Sequence, residues 1–203
     1  MTVELGFVEH LAGNRYFDRQ FEIEAVKVQP GEYYVTASNL VLVTVLGSCV
    51  SACICDRDKG IGGMNHFMLA DGGQKEMLSA SARYGTYAME ILINHLMKLG
   101  ARKSALEAKV FGGGRVLSSL TSSQVGESNA EFVVDFLETE GIPIIARDLV
   151  DVFPRKVYFF PTSGRVLVKK LVRMHNDTVM RREKEYAERL SEAPVAGDIE
   201  LFT

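Results

Sequence analysis

A thiol and an imidazole stand close together in the first third of this chain. In LVTVLGSCVSACICD, residues 42–56, Cys49 directly follows a Gly-Ser pair, and in GIGGMNHFML, residues 60–69, His66 stands one strand later. A thiol is mostly protonated at neutral pH, and a neighbouring imidazole can take its proton and stabilise the thiolate, so the two residues matter only as a pair. Gly47 tolerates backbone angles closed to other residues. A tight turn at Gly47-Ser48 could therefore lift Cys49 out of the preceding strand and expose it, with backbone N–H groups left facing an oxyanion. Apolar and β-branched runs flank the turn, Val41 to Leu46 and Val50 to Ile54, which predicts a site resting on two strands rather than on a loop.

Other readings of the same residues compete. Free cysteine is commonly a small buried hydrophobe, and Cys49, Ser51, Cys53 and Cys55 would share one face of a strand, so pattern alone favours an inert thiol. A closed zinc site is disfavoured, because C-x3-C-x-C has no second ligand pair at the usual spacing and His66 lies in an apolar run. The three cysteines cannot all pair, and a reducing compartment would keep them as thiols.

The elements that must position the pair follow from periodicity. Residues 1–21 are mixed and aperiodic and read as an N-terminal extension, with His10 a solvated bystander. From Glu22 the pattern is that of strands: EIEAVKV, a turn at Pro30-Gly31, EYYVT, LVLVTVL, SCVSACICD and GIGGMNHFML. Asp56 to Gly60 forms a charged turn, which puts Cys49 and His66 on paired neighbouring strands. After a loop at Asp71 to Lys75, apolar residues at helical spacing predict a helix over Ser79 to Leu99, ended by Gly100. His95 near its apolar stripe reads as packed, and His175 has no partner close in sequence. FGGGRV lacks the Lys-Ser/Thr of a phosphate-binding loop, so Gly112 and Gly113 read as a bulge or tight turn. A polar loop, Ser118 to Ser128, precedes a second helix over Asn129 to Glu140. IPIIARDLV, Lys156 to Phe160 and Gly164 to Lys170 are strands, the last two joined by the turn PTSG. Residues 176–203 form a charged tail, helical over Asn176 to Leu190, whose face is most simply solvated.

Several separate blocks resemble one family. PGEYYVT, VLGSCVSACI, GIGGMNHFML, ARYGTYAMEILI, the FGGG loop, GIPI and PRKVYFFPTSGRV, spread over Phe17 to Leu171, are similar to the chemoreceptor glutamine deamidase family CheD. The resemblance implies Cys49 as nucleophile, His66 as its base and Thr44 as the third member that orients the imidazole, with Thr36 a poorer candidate. It implies an oxyanion turn at Gly47 and Ser48, and it sets Gly112 and Gly113 beside the cleft, where a substrate backbone could approach. The activity implied is hydrolysis of glutamine side-chain amides on methyl-accepting chemotaxis receptors, with no cofactor and no metal. A CheC-type phosphatase is a possible further partner. The implied fold is α+β: two packed mixed or antiparallel sheets with two main helices on one side, similar to deamidating-toxin cysteine hydrolases. The expected division is an extension over 1–21, a deamidase domain over 22–175 and the helical tail over 176–203. The chain departs from the family pattern at Val150-Asp151, where a Gly-Gly pair is expected, at Ser128, where an arginine is common, and at Ala70, usually proline.

Composition fits without demanding this. A 203-residue chain can bury one sizeable core, and a net charge of −3 without a basic stripe argues against nucleic acid. No apolar run reaches the length of a membrane span, and no secretory leader pattern opens the chain, so cytoplasmic residence without membrane insertion is expected. Two other classes remain alternatives: an adaptor module that binds receptors or CheC without catalysis, and a redox-sensing thiol protein.

Overall fold

A computed structural model of the protein describes residues 10–69, 75–115, 120–172 and 177–192. Ala70, most of the Asp71 to Lys75 loop and His175 lie outside them. Eleven strands and three α-helices are found among the described residues: β1 His10–Leu11, β2 Asn14–Asp18, β3 Ile23–Lys27, β4 Glu32–Thr36, β5 Val41–Leu46, β6 Val50–Asp56, β7 Ile61–His66, α1 Lys75–Lys98, β8 Glu107–Gly112, α2 Leu120–Thr139, β9 Ile144–Leu149, β10 Arg155–Phe160, β11 Arg165–Lys170 and α3 Asp177–Glu192.

The strands form a six-stranded sheet in the order β1-β4-β7-β6-β8-β9 and a five-stranded sheet in the order β11-β10-β5-β3-β2. Both are mixed, since β3 pairs with β5 and β8 with β9 in parallel while the hairpins are antiparallel. Alternation along β7 gives the layering. Asn65 reaches up to the carbonyl of Ala88 in α1, and the next residue, His66, reaches down to Thr44 of β5 in the other sheet. The six-stranded sheet is thus a middle layer, with α1 and α2 on one face and the five-stranded sheet on the other. This is the expected α+β architecture, and it explains why every residue of β6 and β7 is buried and why their sequences run apolar instead of alternating.

Two expectations need correction. The stretch Ser118 to Ser128, expected as a loop, is mostly helix, because α2 begins at Leu120. Gly126 is buried there, and a Cβ on it would fall 2.7 Å from the carbonyl oxygen of Gly113, so beside Val125 the helix packs through close backbone contact that leaves no apolar side chain to read. Residues 14–18 are not aperiodic extension but an edge strand paired residue for residue with β3. At the site itself, β5 and β6, consecutive in sequence, belong to different sheets, so the chain changes layers at Gly47-Ser48-Cys49.

Candidate active site

That crossover is where the candidate residues meet. Cys49 leads into β6, and His66 ends β7, which pairs antiparallel with β6; the bridge between Val50 and Phe67 closes the ladder beside the turn. Cys49 Sγ, a ring nitrogen of His66 and a carboxylate oxygen of Glu183 lie within 4.8 Å of one another. Thr44 reaches the same place from β5 in the opposite sheet, and its Oγ1 lies 2.8 Å from His66 Nδ1.

The proton positions follow from the partners. Thr44 Oγ1 also lies 2.7 Å from the carbonyl oxygen of Val28, which can only accept. The single hydroxyl proton therefore goes to Val28, and Oγ1 must accept from His66, which places the ring proton on Nδ1. Nε2 has no hydrogen-bond partner among the described residues, which leaves its lone pair available to a thiol proton. Thr44 thus selects the tautomer that a general base requires.

The turn supplies an anion site. The backbone N–H groups of Gly47, Ser48 and Cys49 converge on the Glu183 carboxylate at 2.7, 2.9 and 3.2 Å, and the Ser48 hydroxyl donates to it at 2.7 Å. Behind the turn, Gly113 N–H donates to the carbonyl of Cys49 and Gly114 N–H to that of Gly47. With the carbonyls bound at the back, the N–H groups face forward. Gly112 and Gly113, expected beside the cleft, pack on the rear of the turn; a Cβ on Gly112 would stand 2.1 Å from the Cys49 carbonyl oxygen. These two glycines hold left-handed φ of 110° and 65°, whereas Gly47, from which such angles were expected, is not among the residues with positive φ.

Asn129 of α2 is a clamp that sequence reasoning missed. It donates to the carbonyl of Ser48 at 2.9 Å and accepts from Leu69 N–H at 2.7 Å, joining the nucleophile turn to the segment after His66. Its signal was an asparagine on a helical stripe with Val125 and Val133. Glu183 was missed too, although it stands in the middle of the α3 stripe formed by Val179, Tyr186, Ala187 and Leu190.

The electrostatics differ from the sequence expectation. Cys49 is 0% exposed, not lifted into solvent, and its thiol is pushed well above its ordinary range, first by burial and then by the Glu183 charge. His66, 2% exposed, has its pKa lowered by burial. In this closed arrangement the pair is a neutral thiol beside a neutral imidazole. The same Cys-His-Glu donor set would suit a zinc ion in chemical type, but both Glu183 oxygens are already engaged by the turn.

Behind the turn, the buried Arg155 donates to the carbonyls of Gly112, Asp148 and Val150. It holds a loop in which Val150 and Asp151 adopt φ of 63° and 83°. Both positions where the resemblance led to a Gly-Gly expectation therefore hold angles that favour glycine.

Comparison with known proteins agrees with the resemblance. Residues 68–170 match the family described as CheD chemotactic sensory transduction. The chain is 68% identical over 194 residues to a protein of Dechloromonas aromatica named probable chemoreceptor glutamine deamidase CheD 1, covering 96% of each chain. It is 61% identical over 197 residues to the probable chemoreceptor glutamine deamidase CheD of Janthinobacterium, covering 96% of this chain and 97% of that protein. Among solved structures, the Bacillus licheniformis hypothetical protein YfiH overlaps 71% of this chain and 62% of its own at 13% identity, with a TM-score of 0.36. No described helix is long and apolar enough to cross a membrane.

Proposed function

We propose a function on one premise: the chain belongs to the CheD family. It hydrolyses the side-chain amide of glutamines on chemoreceptors, giving glutamate and ammonia. The observation that carries this reading is the convergence of three backbone N–H groups on one carboxylate beside a thiol and a correctly protonated imidazole.

The chemistry follows from that geometry once a substrate carboxamide takes the place of the carboxylate. Its oxygen sits in the N–H groups of Gly47, Ser48 and Cys49, which polarise the carbonyl. His66 Nε2 removes the Cys49 proton as Sγ attacks the amide carbon, and the N–H groups stabilise the tetrahedral oxyanion. The imidazolium returns the proton to the amide nitrogen, the C–N bond breaks and ammonia leaves a thioester on Cys49. His66 then takes a proton from water, the hydroxide adds to the thioester, and collapse releases glutamate and the thiol. Thr44 keeps Nδ1 protonated throughout, and Asn129, Gly113 and Gly114 hold the turn in place. The residues need no cofactor for these steps.

Intact-mass analysis of a receptor cytoplasmic fragment incubated with the protein tests the reading. Each site converted adds about 1 Da, the difference between amide and acid. Cys49→Ala should abolish the gain while the variant stays folded, since removing one buried sulfur costs about 1–2 kcal/mol. Conversion at the wild-type rate by Cys49→Ala, or none by the wild type on any receptor fragment, would refute it.

A further inference from the structure

The C-terminal helix does something the hydrolysis itself does not require: it fills the site. Glu183 is 2% exposed, and its two oxygens take all three N–H groups of the turn and the Ser48 hydroxyl. No lysine or arginine among the described residues forms an ion pair with it. A buried carboxylate without a cation is costly unless aligned N–H dipoles replace its water. The turn provides that alignment, so it is built to accept a negatively charged oxygen. The group it holds is the γ-carboxylate of a glutamate, which is chemically the product of glutamine deamidation, with an oxygen within 4.8 Å of Cys49 Sγ.

The rest of α3 is seated for the same purpose. Tyr186 lies against Gly31, where a Cβ would stand 2.9 Å from its ring, and its hydroxyl meets that of Tyr84. Ala187 and Leu190 pack on the core, while Arg181, Arg182, Lys184, Glu185, Glu188 and Arg189 face outward. The helix belongs to neither sheet, so its departure would break no strand pairing.

We propose that α3 is an intramolecular product mimic that holds the site closed in the resting chain, and that a glutamine-bearing receptor segment must displace it before Cys49 can react. This rests on the deamidase reading, which is what makes a glutamate a product. The closed state protects in two ways. Glu183 occupies the oxyanion position, and its charge opposes formation of the thiolate next to it. Glutamine at this position would hold less well, since its amide nitrogen would face a backbone N–H that a carboxylate oxygen accepts.

The test uses the full chain and two readouts, the rate of Cys49 alkylation by iodoacetamide at neutral pH and the mass gain of a receptor fragment. Glu183→Ala should alkylate about 10-fold faster or more, through loss of several charge-assisted hydrogen bonds, and should convert the fragment faster. Glu183→Gln supports the proposal in either of two ways: faster alkylation, or a Cys49-dependent gain of about 1 Da at residue 183 as the chain deamidates itself back to glutamate. A folded Glu183→Ala that alkylates at or below the wild-type rate overturns it. If Glu183→Ala does not fold, a Glu183→Gln with neither behaviour overturns it. Faster alkylation with no fragment conversion by any variant would leave the closure standing and remove the deamidase reading. Fragment conversion by the wild type, with neither faster alkylation nor self-conversion at residue 183 in the variants, would do the reverse.

Discussion

Thr44→Val isolates the hydrogen bond that sets the protonation of His66. The substitution keeps the branched shape that β5 packs, and Thr44 is 0% exposed, so solvent cannot stand in for the lost hydroxyl. Two groups lose a partner, the Val28 carbonyl and His66 Nδ1–H, and leaving both unpaired would cost about 2–6 kcal/mol. They are already 3.5 Å apart, however, and can close on each other with a small tilt of the ring. About one hydrogen bond is then lost, a stability decrease of about 1–1.5 kcal/mol. The tilt also moves Nε2 off the line to Cys49, and a similar energy in the transition state lowers turnover by about 10-fold. Thr44→Ser keeps the oxygen and should stay within about 3-fold of the wild type. The assay is the initial rate of receptor-fragment mass gain at saturating fragment, with urea midpoints measured alongside. Wild-type turnover by Thr44→Val, or a Thr44→Ser as slow as the valine variant, would refute the tautomer argument.

Two further outcomes follow from the geometry. Val150 holds φ of 63°, a region costing a β-branched residue about 1–2 kcal/mol, more than the backbone entropy of about 0.5–1 kcal/mol that glycine carries; Val150→Gly should therefore raise stability by about 0.5–1 kcal/mol, and a loss of that size in a denaturation curve would contradict it. Burial lowers the pKa of His66 in the folded chain, so the unfolded chain binds its proton more readily: the contribution is fully present above about pH 6.5 and shrinks as pH falls from there towards the folded pKa. A loss of about 1–2 kcal/mol between about pH 6.5 and 5 that is absent in His66→Gln is the expected result, and equal slopes for the two proteins would assign the loss elsewhere.

Cys49 and His66 could be picked out from sequence because their chemistry is specific and a short charged turn, Asp56 to Gly60, brings their strands together. The helix α1 was legible for an equally local reason, its stripe through Tyr84, Ala88, Leu92 and Leu96. The beginning of α2 was not, since Gly126, buried against the backbone of Gly113, carries no side chain to mark its face, and the residues around it are largely polar. The two packed sheets came only with the family resemblance, and the point where the chain passes between them was not legible, because β5 and β6 are both buried on two faces and nothing in their residues says that Gly47 separates layers. Glu183 was hidden by its surroundings. A glutamate amid arginines, lysines and other glutamates looks solvated, and only its phase on the α3 stripe marks it as inward.

The glycines behind the nucleophile limit where this protein could be altered. At Gly112 a side chain has no room, and on the rear of the turn the contacts run from backbone to backbone, so substitution there can break the catalyst but has little means of retuning it. The front wall is different, since side chains from α1 and α3 meet there, Tyr84 against Tyr186, and these can be exchanged without touching the turn that Glu183 holds. New substrate preferences should arise on the face that α3 covers, and a directed search for them is best spent on Tyr84 and its neighbours rather than on the glycine loop.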